Sequence, residues 1–196
     1  MADSEHSDLQ ETLVSTNRVF DGNFLHVQRD TVRLPDGAFA EREYIKHSGA
    51  VMVIPLLASG RVLMERQWRT PMDRVMTEFP AGKLDPGESW QICAQRELRE
   101  ETGYTAREWA YIGIINNAIS YSDEVIHLVV ARDLVPGIQQ LDAHEFLEVF
   151  EVEPQQVLDW VRDGTVTDVK TVIGAFWLDK LLSGAWDLPW QVLAPA

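Results

Sequence analysis

After a polar opening stretch, the apolar positions of the first part of the chain fall in segments rich in β-branched and aromatic residues, the mark of strands. Residues 12–20 and 24–34 read as strands, and the turn signal Leu34-Pro35-Asp36-Gly37 joins the second to a third at 39–47. These elements suggest a small antiparallel sheet within residues 1–48, too small to be stable alone, preceded by a frayed tail at 1–8. From residue 50 the pattern changes. Residues 51–57 form an unbroken apolar run, Ser59-Gly60 turns the chain, and 61–68 returns as a strand. Further strands are expected at 109–116, 125–131 and 147–152. Three helices are expected: 89–102 stopped by Gly103, 154–163 stopped before Gly164, and 168–183 stopped before Gly184. A glycine just past a helix suits the left-handed residue that closes it. Strands and helices mixed without regular alternation favour an α+β layered domain with a mixed sheet over a Rossmann sheet. The division expected is 1–48 as an N-terminal sheet and 49–196 as the main domain.

Composition narrows the class of function. With 196 residues, 45% of them hydrophobic, the chain can bury one full core. Its formal charge of -14 argues against long nucleic acid or an anionic membrane surface as partner, while leaving room for a small phosphorylated molecule bound through divalent cations. The single cysteine, Cys93, rules out an internal disulfide. The opening residues are acidic and polar, unlike a secretory signal, and no apolar run approaches a membrane span, so a cytoplasmic protein is expected.

The chemistry concentrates in Gly82-Lys-Leu-Asp-Pro-Gly-Glu88 and in the run Arg96-Glu97-Leu98-Arg99-Glu100-Glu101-Thr102-Gly103-Tyr104. At about 100° per residue, Glu97, Glu100 and Glu101 share an arc of roughly 100° on one helical face. Like charges at this spacing repel by a few tenths of a kcal/mol per pair, and a hard divalent cation with oxygen ligands is the natural neutraliser. Ala94 and Leu98 can fix the helix to the core, Arg96 can pair with Glu100 and orient it, and Gly82, Pro86 and Gly87 permit a tight loop. The bland alternative for such a cluster is a solvated acidic helix.

The spacing decides between them: Gly, five residues, Glu, seven residues, then Arg-Glu-apolar-x-Glu-Glu-x-Gly-apolar. This is the Nudix box, and the segment resembles it at every position. The resemblance runs over residues 42–178 and is nearest to the ADP-ribose pyrophosphatase branch, carried also by His47-Ser48-Gly49-Ala50, Arg66-Gln67-Trp68-Arg69, Glu78-Phe79-Pro80-Ala81-Gly82-Lys83-Leu84-Asp85 and Glu145-Phe146-Leu147-Glu148-Val149. It implies a Nudix fold, an α/β/α sandwich with a mixed sheet, and a homodimer in which the N-terminal sheet packs across the two-fold axis. It implies Mg2+, or Mn2+, held by Glu97 and Glu101 with Glu100 and the main-chain oxygen of Ala81. It further implies catalytic roles for Glu145, Glu100 and Arg96, and substrate contacts from Arg69, Glu78 and Arg42. A guanidinium fork such as that of Arg69 suits pyrophosphate oxygens. The implied reaction is attack of water on a nucleoside diphosphate derivative, with ADP-ribose giving AMP and ribose 5-phosphate. One position departs: Ile119 precedes Ser120-Tyr121-Ser122-Asp123-Glu124 where relatives acting on ADP-ribose often carry proline. A nucleotide-sugar hydrolase acting on GDP-mannose or ADP-glucose, and a non-catalytic nucleotide sensor, are the rival readings.

Other residues carry weaker signals. His26, His47 and His127 lie in expected strands without metal-ligand spacing and read as packing or surface groups, whereas His144 beside Glu145 is a candidate proton carrier. Cys93 reads as a packed thiol. Trp160, Trp177, Trp186 and Trp190 read as core or interface anchors, and Phe39 or Tyr44 as a platform for a base by analogy alone.

Overall fold

A computed structural model describes residues 4–194, so residues 1–3 of the expected tail lie outside the described residues. The remainder of that tail is not frayed: Ser4–Leu9 forms 3-10 turns with a kink at His6. Two compact units follow from the chain's contacts, Met1–His47 with Ala118–Glu124, and Ser48–Asn117 with Val125–Ala196.

In the first unit, β1 (Thr12–Asp21), β2 (His26–Arg33) and β3 (Phe39–Lys46) form an antiparallel meander in the order β1-β2-β3. The turn at Leu34 closes with Gly37 donating to the Leu34 carbonyl at 2.9 Å, and Gly37 takes φ 90°, a region open to it for want of a Cβ. The 118–124 segment lies beside β3, with Ile45 N–H donating to the Tyr121 carbonyl at 2.9 Å and Asp123 accepting from the backbone of His47 at 2.8 Å. β1 is exposed along its whole length, including Leu13, Val14, Val19 and Phe20.

In the second unit, a four-stranded sheet has the order β7-β4-β9-β8, built from β4 (Ala50–Pro55), β7 (Ala81–Lys83), β8 (Tyr104–Asn116) and β9 (Val125–Pro136). β4 runs parallel to β9 and antiparallel to β7, which makes the sheet mixed. A second, antiparallel sheet has the order β10-β5-β6, from β5 (Val62–Arg69), β6 (Arg74–Glu78) and β10 (Leu147–Val152). Every residue of β4 is buried, and a strand covered on both faces has no polar face to alternate with. Val51 and Val53 meet Cys93, Ala94 and Leu98 of α1 (Trp90–Thr102) on one face. Met52 and Ile54 meet, on the other, Val157 of α2 (Pro154–Asp163) and Ala175 and Leu178 of α3 (Val169–Leu182). This is the layered arrangement that the irregular mixture of strands and helices predicts. Trp160, Trp177 and Trp190 pack against the second of these cores. Among the described residues no helix is long and apolar enough to cross a membrane.

The sequence pattern missed β6 and β7 and started β8 five residues late. β7 is Ala-Gly-Lys, which has no apolar alternation; it is a strand because β4 pairs with it, Met52 opposite Ala81 and Ala50 opposite Lys83. The missed part of β8, Tyr-Thr-Ala-Arg-Glu, has little apolar content and is a strand through its pairing with β9, Tyr104 opposite Pro136 and Glu108 opposite Arg132. Both ends of α1 follow local rules. Ser89 accepts from the Ile92 N–H at its start, and Gly103, at φ 76°, ends it by donating to the Arg99 carbonyl at 2.9 Å.

Leu98 anchors α1 to the sheet and is fully buried. Leu98→Ala is expected to lower unfolding free energy by about 3 kcal/mol, read from urea denaturation. An unchanged midpoint would mean that α1 is held by its polar contacts instead.

Candidate active site

The loop between β7 and α1 is fastened to the helix by one guanidinium. Arg96 donates from Nε and Nη2 to the two oxygens of Glu88, both at 2.9 Å, from Nη1 to Glu97 at 2.7 Å and to Glu100 at 3.2 Å, and from Nη2 to the Lys83 carbonyl at 3.0 Å. A planar fork with five donors can make this set of bonds and an ammonium cannot. The sequence paired Arg96 with Glu100; its main partner is Glu88, which also accepts from the Asp85 backbone at 3.0 Å and is held below the usual carboxylate range chiefly by Arg96. Gly82 is needed for closeness. A Cβ there would lie 1.8 Å from a Glu97 oxygen, so any other residue would displace this carboxylate from its place against β7.

Glu97 and Glu101 point inward. Burial, outweighing the Arg96 charge, pushes Glu97 up to about 7. Glu101 is raised well above the usual range by burial first and by Glu65, Glu97 and Glu145 next, although it accepts the Ala81 N–H at 3.0 Å. Glu100 is more exposed, facing Arg96 and Arg99. Cys93 lies behind the loop, its thiol raised by burial and directed at the carbonyls of Gly82 and Lys83, so it is a packed group.

Strand β5 supplies the opposite wall. Glu65, Gln67 and Arg69 lie at alternate positions and share a face. Arg69 grips Glu78 through two bonds, 2.7 and 2.9 Å, and Lys170 of α3 reaches the same carboxylate and Asp168. Burial is the largest influence on Glu78 and raises it, but Arg69 and Lys170 together hold it below the usual range. Glu78 is thus buried beneath Arg69, and the guanidinium itself remains partly exposed. Gln67 donates to Glu145 at 3.4 Å. Glu145 sits in the loop before β10, its carboxylate also accepting from the Asp142 backbone at 3.3 Å, and its charge bears on Glu65, Glu97 and Glu101. The preceding His144 is exposed at φ 74°. Arg42 belongs to the first unit, where its guanidinium pairs with Glu11. In that unit Tyr44 donates to Asp30 at 3.1 Å and Phe39 is exposed.

Sequence reasoning missed two residues here. Lys170 falls on a helix whose composition gives no sign of a buried ion pair. Glu65 lies in Val62–Arg69 as one acidic residue in a strand, and only the pairing of Glu65 with Glu78 across β5 and β6 places it inside.

A divalent cation fits this donor set by its chemistry. The oxygens are hard, Glu97 and Glu101 are buried side by side with one nearby guanidinium, and both oxygens of Glu65 are buried with no hydrogen-bond partner among the described residues. Among those residues no three His, Cys, Asp or Glu side chains are already gathered as a metal cage, so the fit rests on donor type and missing positive charge.

Comparison with known proteins decides the family. A NUDIX domain matches residues 46–170. The chain belongs to the Nudix family. A nucleoside diphosphate sugar hydrolase N-terminal domain matches residues 11–45 ahead of the Nudix domain. The chain is 37% identical over 165 residues to an ADP-ribose pyrophosphatase of Bacillus subtilis (strain 168), covering 83% of this chain and 89% of that one. It is 34% identical over 171 residues to a methanol dehydrogenase activator of Bacillus methanolicus, covering 86% and 92%. A crystal structure of an ADP compounds hydrolase matches the fold with a TM-score of 0.81 at 25% identity, over 90% of this chain and 97% of that one. The Nudix fold implied by the box is therefore the fold observed, and the Nudix box is the loop and helix tied by Arg96.

The raised carboxylates of the Nudix box predict a pH dependence. A group whose pKa is higher in the folded state lends stability that is complete below the unfolded value and is lost as pH rises through the folded one. For Glu97 that window runs from about 4.5 to about 7. In the presence of a chelator, the urea midpoint of the wild type should fall between pH 5 and pH 7.5, and Glu97→Gln should flatten the fall. Parallel profiles for the two proteins would show that Glu97 ionises normally.

Proposed function

We propose that this Nudix protein hydrolyses the pyrophosphate of a nucleoside diphosphate linked to a further group, with ADP-ribose as substrate and AMP and ribose 5-phosphate as products, in a reaction that requires Mg2+ or Mn2+. Hydrolysis of pyrophosphate bonds is the activity class that the family and the named relatives support, and ADP-ribose is the finer assignment. One observation carries the reading: the carboxylates of Glu97 and Glu101 are buried, Glu97 pressed close against Gly82, and have too little positive charge around them. Such an arrangement costs stability and is retained where a cation and a polyanion are to be received.

The residues divide the work as follows. Glu97 and Glu101, with Glu100 and the Ala81 carbonyl, would hold the cation. When bound it would polarise phosphoryl oxygens and make water more acidic. Arg96 keeps Glu97 and Glu100 oriented and binds the loop to the helix. Arg69, aimed by Glu78 and partly exposed, offers its guanidinium to a phosphate oxygen. Glu145, on a loop end tethered by Gln67, takes the proton from the attacking water. A second reading, a nucleotide-sugar substrate, is favoured by the N-terminal match over residues 11–45. We also infer a homodimer, because β1 exposes Leu13, Val14, Val19 and Phe20 on a meander that is small for independent stability.

Incubation with ADP-ribose and a panel of nucleotide sugars in oxygen-18 water should give AMP and ribose 5-phosphate fastest, with label in one product. Faster turnover of a nucleotide sugar would replace the substrate assignment, and no turnover of any diphosphate would sink the enzyme reading. Glu101→Gln should lower kcat by more than a hundredfold, about 2.7 kcal/mol of barrier. Glu145→Gln should lower kcat to a similar degree while ADP-ribose affinity, measured with Ca2+ by calorimetry, stays within a few-fold. A weakened affinity would make Glu145 a binding group instead. Sedimentation at micromolar concentration should report a dimer, and a monomer there would remove that inference.

A further inference from the structure

Glu65 stands outside the Nudix box and outside the division of work proposed above, yet it is the most completely buried acidic side chain described, at 0% exposure. Both its carboxylate oxygens lack a hydrogen-bond partner among the described residues. The cations that feel its charge are Lys170 and Arg69, and both are committed elsewhere, Arg69 to Glu78 and Lys170 to Glu78 and Asp168. A carboxylate buried beside two lysine or arginine groups would ordinarily bond to one of them, since leaving it unmet costs several kcal/mol. Glu65 does not. The strand pairing shows why it cannot turn away: it lies opposite Glu78 on β6 and Val149 on β10, in the middle of a three-stranded sheet, with Leu63 and Gln67 on its own face.

The groups on its other side are acidic. Glu65 is the charge that weighs most on Glu101 of the box, and Glu145, tethered by Gln67 two residues along the same strand face, bears on Glu65. Strand β5, helix α1 and the loop before β10 therefore each contribute a carboxylate whose charge bears on the others.

We propose that Glu65 is a further acidic wall of the cation site, a carboxylate from β5 that joins Glu97 and Glu101 in holding a hard divalent ion and sets the affinity of the site for it. The proposal rests on the divalent-cation reading of the box carboxylates. Glu65 supplies negative charge toward the ion, either to the ion itself or through a water of its hydration shell; Mg2+ and Mn2+ commonly retain such waters. An alternative role is available to the same residue: a buried counter-charge that keeps Arg69 and Lys170 in place. The two roles have opposite consequences. Removing a repelled carboxylate relieves the metal-free protein and weakens the ion, whereas removing a counter-charge destabilises the protein and leaves the ion alone.

Mn2+ binding to the full chain, followed by calorimetry and by the loss of the free-ion electron paramagnetic resonance signal, separates them without recourse to turnover. Glu65→Gln keeps the shape and removes the charge, and Glu65→Val replaces it with a side chain suited to a strand centre. Both variants should bind Mn2+ at least about tenfold more weakly, the scale set by loss of groups that support metal ligands, and Glu65→Asp should recover part of the affinity. The chelator-treated Glu65→Gln protein should unfold at an equal or higher urea concentration than the wild type at pH 8. Wild-type Mn2+ affinity in both variants, or a lower urea midpoint for metal-free Glu65→Gln with unchanged Mn2+ binding, overturns the proposal while leaving the cation reading standing. A wild type that takes up no Mn2+ overturns both.

Discussion

The arrangement at the site depends on one guanidinium placed among carboxylates that repel one another. Arg96 is the eighth residue after Glu88 and the first of the acidic run, and its fork closes the loop onto the helix through Glu88 and the Lys83 carbonyl while its third nitrogen holds Glu97 and Glu100. Isolated ion pairs on a surface contribute about 0–1 kcal/mol, but removal of one partner from a buried pair costs about 3–5 kcal/mol. The Arg96 network lies between those limits, since its guanidinium is largely covered and Glu88 is nearly buried. Without it, the carboxylates of Glu88, Glu97 and Glu100 would be left without their shared counter-charge beside a helix whose apolar face is committed to Val51 and Val53. The helix would stay because its core contacts are apolar, and the loop would not stay closed on it.

A second cationic set works the same way from the opposite side. Arg69 and Lys170 converge on Glu78, and Lys170 also reaches Asp168, the residue that caps α3 by accepting from Thr171. Thr171 in turn accepts from the Phe79 backbone at 3.1 Å, just before the Pro80-Ala81-Gly82 segment that leads into the Nudix box. The start of α3 is thereby joined to the chain entering the site. The direction in which Arg69 points is a consequence of how a distant helix begins.

These features differ in how readily the sequence reveals them. Continuous burial of β4 and the two ends of α1 depend on local chemistry, an unbroken apolar run, Ser89 and Gly103, and each is visible in a window of a few residues. The acidic face of α1 is visible for the same reason, because helical spacing alone puts Glu97, Glu100 and Glu101 together. β7 is invisible, since Ala-Gly-Lys becomes a strand through β4, thirty residues away in the chain. Glu65 and Lys170 are invisible too. Their burial is decided by cross-strand and helix contacts at long range, and in isolation each is an ordinary charged residue. Glu88 is intermediate: its spacing from Arg96 is part of the box, but its role as the main partner of Arg96 is a matter of loop closure that spacing does not express.

The balance of charge at the site bears on the order of events under the proposed reading. Arg96 is taken up by three carboxylates, Lys170 by two, and Arg69 gives two of its nitrogens to Glu78. Against these stand Glu65, Glu97, Glu101 and Glu145, in a chain whose net charge is already -14. A pyrophosphate would approach a region lined by acidic side chains, and one partly exposed guanidinium does little to offset that at the separations over which exposed charges act, about 8 Å at physiological salt. Divalent ions held by these carboxylates would change the sign locally. On the proposed reading, cation binding would precede or accompany substrate binding, because the acidic lining would repel an unaccompanied diphosphate.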